Sequence, residues 1–556
     1  MVLSLLRRGA LLFGTSAALV GAALSPVPVH SEAPAVHGIE ESAADAVTLL
    51  NWSATHAVHT NALFVPESVD QVEQLVADRH AKSEKLRPLG SALSPNALAF
   101  EAGGMVSLAL LDKILWIDEK KAQVRVQSGA RIAQVTNELR KRGLVLQNFA
   151  SISEQQVGGF FQVGAHGTGI RIPPVDEQVV SFRIATPAVG SIEISSGHPL
   201  FGLLRVGLGA FGVVTEVTLQ ATAAHKLVEY TKVMTHEELR DRHEELLSQH
   251  QHVRYMWIPY TDSVVVVYSD PLERASAPNS ADMQHLTNDY KLAPLRELLL
   301  ASAGNRLSPQ EVQRMSFAEM RDYLIARDPL NTEWIRRVNQ AEAAFWKRSE
   351  GIRIDWSDRI LGFDCGGHQW VSEVAFHAPL GQRRDLEYMT KLLRLIQDHQ
   401  IPAPAPIEQR WTSGSGSLMS PVYRGPDTLP PDQDVYSWVG IIMYLPTDDE
   451  AARQSITREF WRYRHLCAKL WEAYDAAEHW AKIEIPSPSY MGSEDALRYK
   501  NFILKRVREK YPLDNFGRAH RMLDPNRIMT NAFIDEVLLD NVEPSKESNV
   551  SQDRVI

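Results

Sequence analysis

The order of apolar and polar positions predicts a first region, residues 48–225, in which short strands are interrupted by a few helices. Apolar and polar residues alternate in stretches such as ILWID, VRVQSG and VVTEVTLQ, which is the period of a strand with one buried face. Two stretches follow the helical period instead. PESVDQVEQLVADRH has Ser68 as its N-cap with Gln71 reaching back, and IAQVTNELRKRG ends at Gly143. We therefore expect sheets with Gly-rich connections and only a few helices here.

A second region, residues 226–495, has longer and more charged predicted helices. SVVVVYS indicates a buried strand, and a charged helical insertion interrupted by prolines extends from it to about residue 350. Strands in WVSEVAFHA and YSWVGIIMYLP then flank a helix in LEYMTKLLRLIQDHQ. Apolar strands with long helical excursions predict a sheet that helices cover on one face. Residues 496–540 form a further C-terminal segment.

The two ends of the chain differ from these regions. Residues 1–47 start with a basic, acid-free and apolar stretch, which predicts a targeting presequence and linker for mitochondria or for secretion. Its apolar part is short for a bilayer-spanning helix, which needs about 20 residues. Residues 541–556 are polar, and we expect a disordered tail.

Composition then excludes several classes of protein. The 556 residues carry a net charge of −10 without a basic stripe, which argues against a nucleic-acid partner. The 2 cysteines, Cys365 and Cys467, are too few for a disulfide framework. Because C-x-x-C and H-E-x-x-H patterns are absent from the sequence, we predict no metal site.

One motif resembles a dinucleotide-binding turn but stands in the wrong context. Gly207, Gly209 and Gly212 match G-x-G-x-x-G, whose chemistry requires a strand before the glycines and a helix after them. Here the glycines lead directly into VVTEVTLQ, which is predicted as a strand. We therefore reject a Rossmann turn at this position.

Two other stretches carry the small residues that a phosphate-binding loop needs. GSALSPN, residues 90–96, follows a short strand, and GGFFQVGAHGTG, residues 158–169, has five glycines among twelve residues. Taken alone, the first stretch is more often a turn, and His166 in the second is more often a structural histidine. Their combination predicts a backbone held close to a bound anion.

At this point the sequence resembles a known family. The two loops look like the pyrophosphate and isoalloxazine loops of the vanillyl-alcohol oxidase type of FAD flavoprotein, and GLGAFGVVTEVTL looks like the last loop and strand of the same domain. Further motifs, among them NWSATH, LQNFASISEQQVGG, GFDCGG, PAPAPIEQRWT, HWAKIEIP and LDPNRIMTN, resemble the L-galactono-1,4-lactone dehydrogenases, an aldonolactone oxidoreductase group. The similarity extends from about Asn51 to Asn531.

The resemblance implies an α+β flavoprotein of the vanillyl-alcohol oxidase/PCMH type with two domains. Residues 48–225 form the FAD-binding domain, residues 226–495 form a substrate cap domain of sheet and helices, and residues 496–540 complete the FAD site. It also implies the residues that bind FAD. These are Arg87, Pro88, Gly90, Ser91, Ala92, Leu93, Ser94, Asn96, Ala150, Ser151, Gly158, Gly159, Gln162, Gly164, Ala165, His166, Gly167, Thr168, Gly169, Gly212, Val213, Val214 and His479.

Two of these positions modify what the resemblance implies. Leu93 stands where related oxidases often carry a histidine that binds flavin covalently, so we expect non-covalent FAD. Ala150 resembles the position that controls access of oxygen to the flavin. A methyl group there, in place of glycine, favours a dehydrogenase with another electron acceptor.

Three side chains are the predicted catalytic residues. Glu408 and Arg410 are two residues apart on a predicted extended segment, so their side chains lie on the same side of it. The alternative to a catalytic role is that they form a structural ion pair. Arg410 would stabilise developing negative charge, and Glu408 would bind lactone hydroxyls or assist proton removal. The resemblance adds Lys482, as a contact to the substrate hydroxyl. Cys365 is either a redox-sensitive thiol near this site or an inert buried one.

The implied reaction is oxidation of L-galactono-1,4-lactone at C2, giving ascorbate, with cytochrome c as electron acceptor. The implied location is the mitochondrial inner membrane facing the intermembrane space, and an association with respiratory complex I is compatible with it. Two alternatives stay open, namely a peroxide-producing aldonolactone or alditol oxidase of the same fold and a respiratory-chain assembly or scaffold protein. The sequence does not distinguish galactonolactone from gulonolactone.

Overall fold

The computed structural model describes residues 46–274, 287–304, 307–362, 366–425 and 429–541. The predicted presequence up to residue 45, the tail after Asn541 and Cys365 lie outside these ranges. Within these ranges, no helix has both the length and the apolar character needed to cross a bilayer.

In the described part of the first region, the strands form three sheets. These strands are β1 Val47–Leu50, β2 Ala57–Thr60, β3 Leu63–Phe64, β4 Arg87–Leu89, β5 Met105–Ser107, β6 Ile114–Asp118, β7 Gln123–Gln127, β8 Leu144–Leu146, β9 Val179–Thr186, β10 Gly190–Ser195 and β11 Val213–Ala223. β1 pairs with β2, and β5 lies between β3 and β4 in a parallel sheet. The largest sheet has the order β10-β9-β11-β7-β6, with β8 also paired to β11. This confirms the predicted excess of strands.

The helices of this region are few, as predicted. They are α1 Val69–Lys82, α2 Ile132–Arg140, α3 Val157–Gln162 and α4 Phe201–Leu204. Ser68 caps α1 by accepting a hydrogen bond from the backbone N–H of Gln71. The Gln71 side chain does reach back, but it accepts from the backbone N–H of Glu67 at 2.7 Å. Gly143, with φ +70°, follows α2 in the left-handed conformation that ends helices.

The rejected Rossmann turn is confirmed to have the wrong context. Its glycines follow α4 and lead into β11, so a strand stands where a dinucleotide-binding helix would begin. Gly212 has φ +153°, and a Cβ atom there would lie 2.4 Å from the carbonyl oxygen of Ala185 on β9. This glycine therefore allows β9 and β11 to approach each other closely.

In the described part of the second region, the strands form one antiparallel sheet, in the order β15-β12-β14-β13-β17-β18-β16-β19. Its strands are β12 Lys226–Met234, β13 His252–Ile258, β14 Ser263–Pro271, β15 Gly351–Trp356, β16 Gln369–His377, β17 Ile407–Thr412, β18 Tyr436–Tyr444 and β19 Ala477–Glu478. The register places Glu408 of β17 opposite Gly440 of β18, which in turn lies opposite Glu373 of β16. Residues directly opposite in an antiparallel pair share a face, so Glu408 and Glu373 point to the same side of the sheet.

Helices cover both faces of this sheet, whereas the sequence predicted helices on one face. The helices in the described part of the chain after β12 are α5 His236–Gln249, α6 Asn288–Ala303, α7 Pro309–Arg314, α8 Phe317–Arg327, α9 Thr332–Arg348, α10 Ser357–Leu361, α11 Arg384–Asp398, α12 Glu450–Ala473, α13 Pro488–Met491, α14 Ser493–Lys510, α15 Leu513–Leu523 and α16 Ala532–Ile534. Apolar residues of α5 and α11 share a core with Val264 and Trp411. Ala343 of α9 packs with Met256 and Val265 on the opposite face. The expectation of one covered face was therefore wrong for the helical insertion.

The C-terminal segment returns to the first region. Ile528 and Met529 share a buried cluster with Val72 and Val106. The backbone N–H of Leu86 donates to the carbonyl of Ile528 at 2.8 Å. The segment therefore stabilises the strand that precedes the first Gly/Ser loop.

Candidate active site

A cavity of about 590 Å³ lies between the loops of the first region and one face of the eight-stranded sheet. It is enclosed by elements distant in sequence, because the sheet of the second region closes over the two Gly-rich loops. The residues predicted from the sequence that line it are Arg87, Pro88, Gly90, Ser91, Ala92, Leu93, Ser94, Ala150, Ser151, Gly158, Gly159, Gln162, Ala165, His166, Gly212, Val213, Val214, Glu408, Arg410, His479 and Lys482. The fold therefore brings most of the predicted residues to one place.

Five predicted cofactor residues lie behind this lining: Asn96, Gly164, Gly167, Thr168 and Gly169. The side-chain amide of Asn96 donates to the carbonyl oxygens of Trp480 and Ile483, at 2.8 and 2.9 Å, and so ties the first loop to the HWAK segment. The backbone N–H of Gly169 donates to the carbonyl of Trp411 at 2.6 Å. Their contacts hold the loops in place, and direct contact with a cofactor stays a prediction for them.

Arg87 lines the cavity, but its guanidinium donates its hydrogen bonds to backbone carbonyl oxygens of the protein. It is 2% exposed and donates to the carbonyl oxygens of Leu98, Met529 and Leu208. These carbonyls belong to the stretch just after the first loop, to the C-terminal segment and to the GLGAFG loop. Burial lowers the pKa of Arg87 to about 10. Arg87 therefore joins three segments that surround the cavity.

Glu373, which sequence analysis missed, lies at the centre of the polar end of this cavity. Its side chain is buried in the middle of β16. Its Oε1 atom accepts from Nη2 of Arg410 at 3.0 Å, and its Oε2 atom contacts Nζ of Lys482 and lies 3.2 Å from Nε2 of His166. The signal was present in WVSEVAFHA, where one acid interrupts an apolar strand, since buried carboxylates need partners.

Glu408 and Arg410 do face the same cavity, as their spacing predicted. Nε of Arg410 lies 3.3 Å from Oε2 of Glu408, and Nη1 of Arg254, on β13, lies 3.8 Å from Oε1. Arg410 is therefore placed between two carboxylates. Gly440 lies between Glu408 and Glu373 on β18 and leaves the surface between the two acids open. Glu408 and Arg410 do form an ion pair, as the structural alternative predicted, but this pair faces a cavity.

The HWAK segment reaches the site through a short 3₁₀ turn, Trp480–Lys482. His479 caps this turn, because its Nδ1 atom accepts from the backbone N–H of Ala481 at 3.1 Å. Burial, followed by the charge of Lys482, holds the pKa of His479 well below its usual range, so its imidazole is neutral. His479 thus supports the turn that carries Lys482 to Glu373.

His166 completes the cluster around Glu373. Its ring stacks on Trp438, with ring centres 3.7 Å apart, and burial lowers its pKa to about 4. Ligand atoms of His166, Glu373 and His479 lie within 4.8 Å of one another, a spacing that a metal ion could use. However, Arg410 and Lys482 already contact the carboxylate, and a divalent cation would be repelled by both. The cluster is thus built for an anionic or hydroxylic ligand.

Part of the cavity wall is formed by the helical insertion. Phe317 and Arg321 on α8 line it with Glu342 on α9 and Tyr444 on β18. The guanidinium of Arg321 lies 4.2 Å from the centre of the Tyr444 ring. Burial raises the pKa of Glu342, whose Oε1 atom accepts from the indole N–H of Trp346 at 3.3 Å. Arg321 and Glu342 thus add a second pair of ionisable side chains to the cavity wall.

Comparison with known families assigns the chain. Residues 60–195 match the FAD binding domain family and residues 217–537 match the D-arabinono-1,4-lactone oxidase family. An L-galactono-1,4-lactone dehydrogenase from Brassica oleracea is 48% identical over 511 residues, covering 89% of this chain and 83% of that protein. One from Arabidopsis thaliana is 48% identical over 512 residues, covering 89% and 81%.

The chain belongs to the L-galactono-1,4-lactone dehydrogenase family. L-gulonolactone oxidase of Mus musculus is a more distant relative, 26% identical over 90% of this chain and 99% of its own length. A solved structure, cholesterol oxidase from Brevibacterium sterolicum, shares the fold with a TM-score of 0.69 at 16% identity, covering 89% of this chain and 97% of its own. The predicted family, fold class and FAD cofactor are confirmed.

The cavity of this lactone dehydrogenase fits FAD. Oγ of Ser128 and Oε1 of Gln155 are buried at its lining and have no hydrogen-bond partner among the described residues. Such groups are costly to bury without a ligand, and a cofactor with many polar atoms can satisfy them. Trp52 and Asn51, from the NWSATH motif, hold the first loop through the carbonyl oxygens of Ala92 and Pro95.

Proposed function

We propose that this protein oxidises L-galactono-1,4-lactone at C2 to give L-ascorbate. The observation that carries the proposal is the pair of cations, Arg410 and Lys482, held by one buried carboxylate in the cavity that the FAD-binding loops line. Relatives that are 48% identical carry this activity in their names. The helical insertion adds two polar side chains to the cavity wall, Arg321 and Glu342, which suit a substrate with several hydroxyls.

The roles of the protein's side chains follow from charge. Bound FAD supplies a hydride-accepting atom, N5. Arg410 and Lys482 stabilise the oxygen of the C2 hydroxyl as it loses its proton, since both are positively charged and held in a site of low dielectric. Glu408 is more exposed than Glu373, at 22% against 3% of the side chain, so it can accept a hydrogen bond from the C2 hydroxyl and then take its proton. We propose Glu408, Arg410 and Lys482 as the catalytic residues.

We further propose that FAD is bound non-covalently and that electrons pass to cytochrome c. Leu93 lines the cavity and has no nucleophilic atom. Ala150 also lines it, and its methyl group hinders an approach of oxygen that glycine would allow. We also propose that the chain divides at about residues 225 and 495 into an FAD-binding domain, a substrate cap domain and a C-terminal segment.

Location is proposed from the relatives, which are named as mitochondrial proteins. We propose that this protein is mitochondrial as well, and that it works at the inner membrane facing the intermembrane space, where cytochrome c is available. An association with complex I is compatible with that position and is tested by co-migration in native gels.

The decisive experiment is anaerobic mixing of the purified holoprotein with lactones. L-galactono-1,4-lactone should bleach the flavin absorbance, and oxidised cytochrome c should restore it. If no aldonolactone bleached the flavin, the proposed activity would be contradicted and the assembly or scaffold role would be favoured. If oxygen restored the flavin absorbance quickly, the oxidase alternative would be favoured instead. L-gulonolactone oxidase, a distant relative, is an example of that class.

A further inference from the structure

We infer that Glu373 is the positioning residue of the site, which holds Arg410 and Lys482 together against their mutual repulsion. The effect of this role on lactone oxidation rests on the proposed function. Its effect on the reduction potential of the flavin does not. The inference starts from the division of labour between the two carboxylate oxygens. Oε1 takes Arg410 at 3.0 Å, and Oε2 takes Lys482.

Two cations that converge on one cavity need a shared anion. In a buried site, like charges a few ångströms apart repel strongly, because little water screens them. Glu373 offers both of its oxygens, is only 3% exposed and lies in the middle of a strand. Burial alone would raise the pKa of Glu373, but Lys482, His166 and Arg410 outweigh it and hold the pKa well below its usual range. Its negative charge is thus permanent near neutral pH.

Glu373 also fixes the segment that carries Lys482. Its backbone carbonyl accepts from the backbone N–H of His479 at 3.0 Å, and its side chain contacts Lys482 three residues later. Main chain and side chain of one residue therefore determine where the HWAK turn lies. On its remaining side the carboxylate faces His166, which belongs to the GGFFQVGAHGTG loop. The ring of His166 stacks on Trp438 and so covers this side of Glu373.

Glu408 cannot replace Glu373 in this role. It contacts Arg410 through Nε at 3.3 Å and is also 3.8 Å from Arg254, so it serves the other side of the guanidinium. The structure places Lys482 on Glu373 and places no contact between Lys482 and Glu408 among the described pairs. Glu408 is thus free to turn toward a substrate, whereas Glu373 is engaged on every side.

The first test is a double-mutant cycle on the holoprotein. Glu373→Gln and Lys482→Met should each slow flavin reduction by saturating lactone about 10²-fold, since misplacement of a catalytic group by about 1 Å costs that much. If Glu373 acts partly by holding Lys482, the double variant is slowed clearly less than the product of the two single effects, and what remains of the Glu373→Gln effect comes from Arg410. Multiplication of the two effects, to about 10⁴-fold, would overturn the inference.

The second test needs no lactone. In Glu373→Gln the cavity loses a negative charge, so the flavin reduction potential, measured by dithionite titration with a reference dye, should rise. Asp385→Asn is the matched control, because Asp385 is an equally buried acid, 3% exposed, outside the cavity lining. It should leave the potential unchanged. A potential unchanged in Glu373→Gln overturns the inference, whereas a wild type that no lactone reduces overturns the proposed function alone.

Discussion

The two faces of β17 place neighbouring residues in opposite environments. Arg410 points into the cavity and bonds Glu373, whereas Trp411 points to the helices and donates its indole N–H to Asp385 at 2.8 Å. Nε2 of His243 lies 3.1 Å from the same Asp385 oxygen. Both acids are 3% exposed and, although burial opposes it, the pKa of each carboxyl is lowered by its partners.

The difference between the two acids lies in what surrounds their partners. Asp385 is enclosed by the apolar core under α5 and α11, where Trp411, His243 and Tyr255 pack against one another. Glu373 has its partners at the wall of a cavity of about 590 Å³. Burial and a lowered pKa are thus common to a structural and a functional carboxylate. Only access to a ligand distinguishes them.

The largest expected effect separates Arg410 from Trp411. Arg410→Met should slow flavin reduction by lactone about 10²- to 10³-fold, because one charge-stabilising donor is lost. Trp411→Phe, one residue along the strand, should leave the rate per bound flavin close to that of the wild type. Stopped-flow absorbance of both variants decides between them. Equal slowing in the two would mean that the faces are not functionally distinct.

A smaller effect should appear in stability when Asp385 is changed. Asp385→Asn weakens the bonds to His243 and Trp411 and should lower the free energy of unfolding by about 3 kcal/mol, the lower range for breaking a buried pair. Asp495→Asn, an exposed acid with a 3.9 Å pair to Arg498, should change it by less than about 0.5 kcal/mol. Urea unfolding measures both. A loss of lactone oxidation per folded molecule in Asp385→Asn would contradict a purely structural role.

The sequence predicted the local elements and the loops, because these depend on short-range patterns. The alternation in VVTEVTLQ, the cap at Ser68 and the spacing of Glu408 and Arg410 each follow from a strand or helix period. The family resemblance, carried by long ordered motifs, supplied FAD and Lys482. Neither source predicted that Glu373 joins Arg410 to Lys482, since that depends on β16 and β18 being neighbours in the sheet.

The face of the sheet that the insertion covers was unpredictable for a similar reason. α9 has an apolar side that could pack on either face, and its contact with Met256 depends on how the insertion as a whole folds back onto the sheet. Arg87 teaches the same point. A strand arginine beside a phosphate-type loop suggests an anion ligand, but the fold surrounds it with three carbonyl oxygens from distant segments.

The last contrast concerns acid stability and again compares the cavity with the region behind it. Burial lowers the pKa of His166, and also that of His252, from 6.5 to about 4. Below pH 6.5 the unfolded chain therefore binds protons that the folded chain refuses, so stability falls toward pH 4. A pKa lowered from 6.5 to about 4 corresponds to roughly 3 kcal/mol of lost stability for each histidine, and relaxation of the site reduces this loss.

His166→Gln and His252→Gln should each flatten this loss between pH 6.5 and 4 when the free energy of unfolding is measured in urea at several pH values. The two variants should differ in function. His166 contacts Glu373 in the cavity, whereas His252 bonds the carbonyl of Thr168 behind it at 2.7 Å. Only His166→Gln should change flavin reduction, because only that histidine touches the group that holds Arg410 and Lys482. An unchanged acid limb in both variants would show that neither imidazole stays neutral in the folded chain.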